Sequence, residues 1–124
     1  MLADGCELTV LSVADSQQAA LALSFAAGSH AEPAGYLGMA HFLEHLVFRG
    51  SRNFALDDGL MAFIQRKGGH VNAQTQAEHT LFHFQVEAPL FLEALARLVD
   101  MLVAPRLEPA MLSSEREVIH EEFK

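Results

Sequence analysis

HVNAQTQAEHTLFHFQV, residues 70 to 86, holds two strands around a short polar turn, and the rest of the fold is arranged about that pair. In the second strand Thr80, Phe82, Phe84 and Val86 point one way, and Leu81, His83 and Gln85 the other. Downstream, "PLFLEALARLVDMLVAP" is an amphipathic helix bounded by Pro89 and Pro105, and Glu108-Pro109 opens a last helix that runs to the chain end. Upstream, "GLMAFIQRK" is a helix that Asp57 or Asp58 can cap and that Gly68-Gly69 ends. Before it, a helix runs from about Leu37 to Phe48 and stops at Gly50. "SHAEPAGY" is a loop, and two further strands, "CELTVLSV" and "QQAALALSFAAG", precede it. The order β-β-α-α-β-β-α-α predicts an α+β fold: an antiparallel β-sheet with helices packed on one face.

Composition narrows the function. The 124 residues are 51% apolar, with nine Phe and no Trp, which fits one small globular domain with a real core. A net charge of −8, with only eight Lys and Arg, disfavours a nucleic-acid or anionic-membrane surface. Cys6 is the single cysteine, so neither an internal disulfide nor a thiolate zinc cluster can form. No apolar run approaches the roughly 20 residues of a membrane span, and the N-terminus makes a poor signal peptide, so a cytoplasmic location is expected.

The first long helix carries the chemistry. In "GMAHFLEHLVFRG", residues 38 to 50, only His41, Glu44 and His45 interrupt an apolar run before Arg49. At about 100° per residue, His41 and His45 stand about 40° apart and Glu44 about 60° to the other side of His41, so all three share one wedge. The remaining faces are apolar, which predicts a buried helix. Polar groups placed there need partners. Two imidazoles one turn apart can both reach a zinc ion at about 2.0–2.1 Å. The glutamate between them would hold a water whose acidity the ion raises. His-x-x-Glu-His is the inverted form of the His-Glu-x-x-His zinc-peptidase motif.

A catalytic zinc needs a third protein ligand, and the last helix offers two. Glu115 and Glu122 share its apolar stripe with Met111, Val118 and Ile119, while Ser113, Arg116, Glu117 and His120 face the other way. Glu115 and Glu122 lie about 10 Å apart along the axis, so one is a ligand and the other orients it or a histidine.

"HFLEH", followed 77 positions after His45 by Glu122 within "EREVIHEE", resembles the pitrilysin family of zinc peptidases, which includes insulin-degrading enzyme. The resemblance implies one zinc ion on His41, His45 and Glu122, Glu44 as the catalytic base, and Glu115 as a supporting carboxylate. "GGHVNAQTQAEHTLFHFQV" is similar to the family strand whose exposed edge pairs with substrate backbone, which implies peptide binding at Asn72 and Ala73. Phe48, one turn beyond His45, is a candidate for the substrate pocket as well as for the core. The tone of "GMAHFLEHLVFRGS", "AFIQRKGGHVNA" and "SEREVIHEEF" is most similar to the branch linked to pyrroloquinoline quinone biosynthesis, which implies processing of a small precursor peptide.

The resemblance covers the chain from about Cys6 to Lys124 but only the front half of the family's first domain. It therefore implies a partial N-terminal zinc-peptidase domain over residues 1–124. The remaining domains, or a homologous subunit, would complete the site with an arginine and a tyrosine. Arg49 departs from the family, which tends to be apolar there. Three other readings stay open on the sequence: a non-catalytic scaffold or partner subunit, an inactive zinc-binding fragment, and a closed structural zinc site recruiting His79 or His83.

Overall fold

The computed structural model describes residues 5–122. In chain order these form β1 (Gln18–Phe25), α1 (Met39–Val47), α2 (Leu60–Arg66), β2 (His70–Thr75), β3 (Thr80–Glu87), α3 (Phe91–Val103) and α4 (Pro109–Glu122), with short 3-10 turns between. The three strands make one antiparallel sheet of order β1-β3-β2, with β3 in the centre. The register sets Leu21 and Val71 beside Phe84, and Leu23 and Ala73 beside Phe82. One face of the sheet is thereby apolar across all three strands.

That face makes the core. Phe82, Phe84 and Val86 from β3 are buried with Leu60, Phe63 and Ile64 of α2 and with Ala94, Leu98 and Met101 of α3. The α3 positions recur at i, i+4 and i+7, so one stripe of the helix meets the sheet. The α+β class expected from the sequence is the one observed. The opposite sheet face, with Ala20, Ala22, Gln74 and Gln85, is exposed.

Three local expectations are corrected. Residues 6–13 form no strand, and Leu8, Val10, Leu11 and Val13 are 60–86% exposed. The apolar positions of that segment break strict alternation between Val10 and Leu11, so it offers no single face for the sheet to bury. Helix α1 is not buried all round: Met39 and Leu43 are exposed, and only Glu44, Leu46 and Val47 are buried. Neither Asp57 nor Asp58 caps α2, whose N-cap is Gly59 without a side-chain bond. Asp58 instead pairs with Arg66 at 3.0 Å and Arg97 at 3.1 Å. The Arg97 guanidinium also lies over the rings of Phe54 and Phe63, so its charge is held between two aromatic faces.

The connections fix where α1 sits. Gly28 admits no Cβ, because Gln76 and Ala77 backbone crowds it. That close approach lets Ser29 N–H donate to Gln76 O and His30 N–H to Ala77 O, both at 2.9 Å, tying the loop before α1 to the β2–β3 turn. At the other end, Phe48 packs on Phe82 with ring centroids 5.9 Å apart. The following loop is pinned to α3, because Ser51 Oγ and the Asn53 backbone and side-chain N–H groups all donate to the Asp100 carboxylate. Among the described residues no helix is long and apolar enough to cross a membrane.

Candidate metal centre

Helix α1 begins at Gly38, whose left-handed backbone (φ +88°) turns the loop into the helix axis but supplies no capping side chain. Glu32, from the preceding loop, takes over that role, accepting a 2.7 Å hydrogen bond from Ala40 N–H. So anchored at both ends, α1 presents His41, Glu44 and His45 toward β2 and α4.

The two imidazoles stand edge to face, with centroids 4.7 Å apart and Nε2 atoms separated by 3.1 Å. Glu122 Oε2 lies 3.2 Å from His41 Nε2 and 3.6 Å from His45 Nε2. His41, His45 and Glu122 thus turn three donor atoms toward one point, all within 4.8 Å of one another, as a metal site requires. Among the described residues His79 and His83 join no such group.

Glu115 occupies a different place. It is nearly buried, with Oε2 3.4 Å from His45 Nδ1 and Oε1 3.2 Å from Arg49 Nε. It therefore faces the back of the imidazole whose front edge faces Glu122. Along the axis of α4 it stands about two turns, roughly 10 Å, before Glu122. Of the other residues on the expected apolar stripe of α4, Ile119 is buried and Val118 is 46% exposed.

Glu44 is buried, and Thr75 Oγ1 donates a hydrogen bond to its Oε2. A cleft of about 600 Å³ opens between α1, the end of β2 and α4, lined among others by Glu32, His41, Glu44, Ala73, Thr75 and Glu122. Ala73 enters the cleft wall, whereas Asn72 lies on the exposed face of the strand. Ala73 N–H donates to Asn72 Oδ1 at 2.9 Å. Among the described residues β3 flanks β2 on one side and no strand pairs on the other, so that N–H points out from the open edge. Phe48 does not line the cleft; it lies just past the end of α1 and packs on Phe82 and the core, which makes it a footing for the helix.

Sequence reasoning passed over two residues here. Thr75 had a usable signal: at period two it shares the Ala73 face of β2, the face turned to α1. Glu32 had none, since its bond to Ala40 crosses a loop containing Pro33 and Gly35.

The family model described as Insulinase (Peptidase family M16) matches residues 9–124. The chain is 43% identical over 122 residues to coenzyme PQQ synthesis protein F of Pseudomonas syringae pv. tomato, covering 98% of this chain and 16% of that protein. To human nardilysin it is 38% identical over 108 residues, covering 87% of this chain and 9% of that one. The crystal structure of pitrilysin superposes with a TM-score of 0.80 at 31% identity, covering 88% of this chain and 12% of that chain. The chain thus spans about a sixth of the length of its PQQ synthesis relatives.

Proposed function

This chain belongs to the insulinase family of peptidases, and from that premise we propose that it forms the zinc-binding part of a metalloendopeptidase acting on peptides or small proteins. The observation that carries the reading is the donor set of His41 Nε2, His45 Nε2 and Glu122 Oε2, with Glu44 in the same cleft. Tetrahedral zinc with bonds of about 2.0–2.1 Å holds its ligand atoms about 3.3 Å apart. The spacings of 3.1, 3.2 and 3.6 Å bracket that value, so the residues fit the ion.

Zinc held there supplies Lewis acidity, polarising a peptide carbonyl and making water acidic near neutral pH. Glu44 takes the proton from the attacking water and delivers it to the departing amine. Thr75 holds one oxygen of Glu44 and so fixes the direction of the other. Glu115 keeps the His45 ring turned so that Nε2 faces the ligand position. An extended substrate adds to the open edge of β2, where Asn72 swings away and leaves Ala73 N–H to a substrate carbonyl.

Residues 1–124 act as a partial N-terminal domain. Because the relatives are much longer, the remaining domains or a homologous subunit complete the site. The similarity to PQQ synthesis proteins supports a place in pyrroloquinoline quinone synthesis, with a small precursor peptide as the proposed substrate.

The test is Glu44→Gln in the intact protein. Zinc content stays at one ion and peptide hydrolysis falls about 10²- to 10⁴-fold, the span of general acid–base catalysis. Undiminished turnover would remove Glu44 from the mechanism, and absence of zinc from the unmutated protein would remove the reading altogether.

A further inference from the structure

We infer that Arg49 is a positioning residue for the metal centre, acting through Glu115; this rests on the reading of His41, His45 and Glu122 as zinc ligands. Glu115 is a nearly buried carboxylate on α4, a helix that otherwise buries only Ile119 among the described residues. A charge in that position is costly unless another charge faces it. Arg49 provides one from the far end of α1. Its Nε lies 3.2 Å from Glu115 Oε1, while Oε2 is left to His45 Nδ1 at 3.4 Å. The two oxygens of one carboxylate are thus divided between a guanidinium and a proposed ligand imidazole.

Geometry makes this more than a surface ion pair. Arg49 Nε is buried and has no in-line hydrogen-bond acceptor among the described residues, so the charge contact with Glu115 is what faces it. Arg49 also follows the last turn of α1, where the helix dipole favours a cation, and its backbone N–H donates to Leu46 O at 3.0 Å. The guanidinium is therefore rooted just past the end of the helix that carries both histidines, and Glu115 on the helix that carries Glu122. Arg49 locks the two helices at a fixed separation, and with them the angle at which His45 meets the ion. An apolar residue at position 49 would leave Glu115 free to rotate away from His45.

The experiment is zinc affinity by chelator competition in the intact protein, for Arg49→Leu, Arg49→Lys, Glu115→Gln and the Arg49→Leu/Glu115→Gln pair. Arg49→Leu binds zinc about 10- to 100-fold more weakly, as loss of a partner behind a ligand does. Arg49→Lys recovers part of that loss. In the Glu115→Gln background, Arg49→Leu adds no further loss beyond about twofold, because its effect passes through the carboxylate. A purely structural arginine would instead lower zinc-free thermal stability, and its effect would add to that of Glu115→Gln. If Arg49→Leu does not fold, Arg49→Gln is read in its place. Unchanged zinc affinity, or full additivity, overturns the inference while leaving the zinc reading intact. A wild-type protein without zinc overturns that reading first.

Discussion

The two helices that wall the candidate site are held in place by different forces. Helix α1 stands on the core: Val47 belongs to the buried cluster, Phe48 packs on Phe82, and the loop beyond is tied to α3 through Asp100. Helix α4 has little apolar footing, with Ile119 its only buried apolar residue among those described. Ion pairs join it to α1 and the residue just beyond: His41–Glu122, His45–Glu115 and Arg49–Glu115. One wall is positioned by packing and would keep its shape without an ion. The other is positioned by the charges of the site itself. A metal that binds across the two therefore does structural work on α4 and very little on α1.

The largest expected effect breaks the packed wall. Phe82 is 5% exposed and touches both Phe25 and Phe48. Phe82→Ala lowers unfolding stability by about 3–5 kcal/mol, whether or not zinc is present. Glu122→Gln, on the other wall, changes zinc-free stability by less than about 0.5 kcal/mol. What it removes is the added stability from saturating zinc, about 4 kcal/mol at a thousand times the dissociation constant. Thermal unfolding with and without chelator measures both. If Glu122→Gln destabilised the zinc-free protein as severely as Phe82→Ala, the contrast between the walls would be lost.

The same contrast governs what was legible in the sequence. His41, Glu44 and His45 lie within five residues of one helix, so a fixed angular step placed them on one wedge without any knowledge of the fold. The alternation of β3 was as plain, because β3 is buried on one face and open on the other. Helix α4 gave only half its answer: its stripe put Glu115 and Glu122 on one face, but choosing between them required either the family resemblance or the coordinates. Thr75 and Glu32 act across 31 and 8 residues, and no local rule connects them to the groups they hold. The misread segment, residues 6–13, shows the converse. β-forming residues without a clean two-residue period made a strand expectation that no neighbouring strand fulfils among the described residues.

A smaller effect sharpens the comparison inside α1. Thr75 reaches Glu44 from β2, so the proposed base is held by the sheet and not by α4. Thr75→Val removes a hydrogen bond to a charged group, a change of about 1.5–3 kcal/mol where fully expressed. Turnover of a peptide substrate is expected to fall about tenfold, since one tenfold step in rate is about 1.4 kcal/mol. Zinc affinity stays at the wild-type value, and Thr75→Ser, which keeps the hydroxyl, restores most of the rate. Loss of zinc in Thr75→Val would mean that β2 positions the ligands as well as the base.

The smallest effect tests the footing of α1 by pH. The Ser51 hydroxyl, then the Asn53 backbone N–H, hold the Asp100 carboxyl below its ordinary value of 3.8. A carboxyl lowered in the folded state stabilises the protein above its unfolded pKa, and that contribution is lost as pH falls through the folded one. The tie is thus fully present at neutral pH and weakens only below about pH 4. Asp100→Asn is expected to cost about 1–2 kcal/mol at pH 7 and to flatten the acid limb of the stability curve. Zinc affinity at pH 7 should be little changed, because Asp100 anchors the loop behind α1 while Val47 and Phe48 still seat the helix. A large loss of zinc in Asp100→Asn would show that packing alone does not fix the histidines, and that the packed wall, like α4, depends on charge.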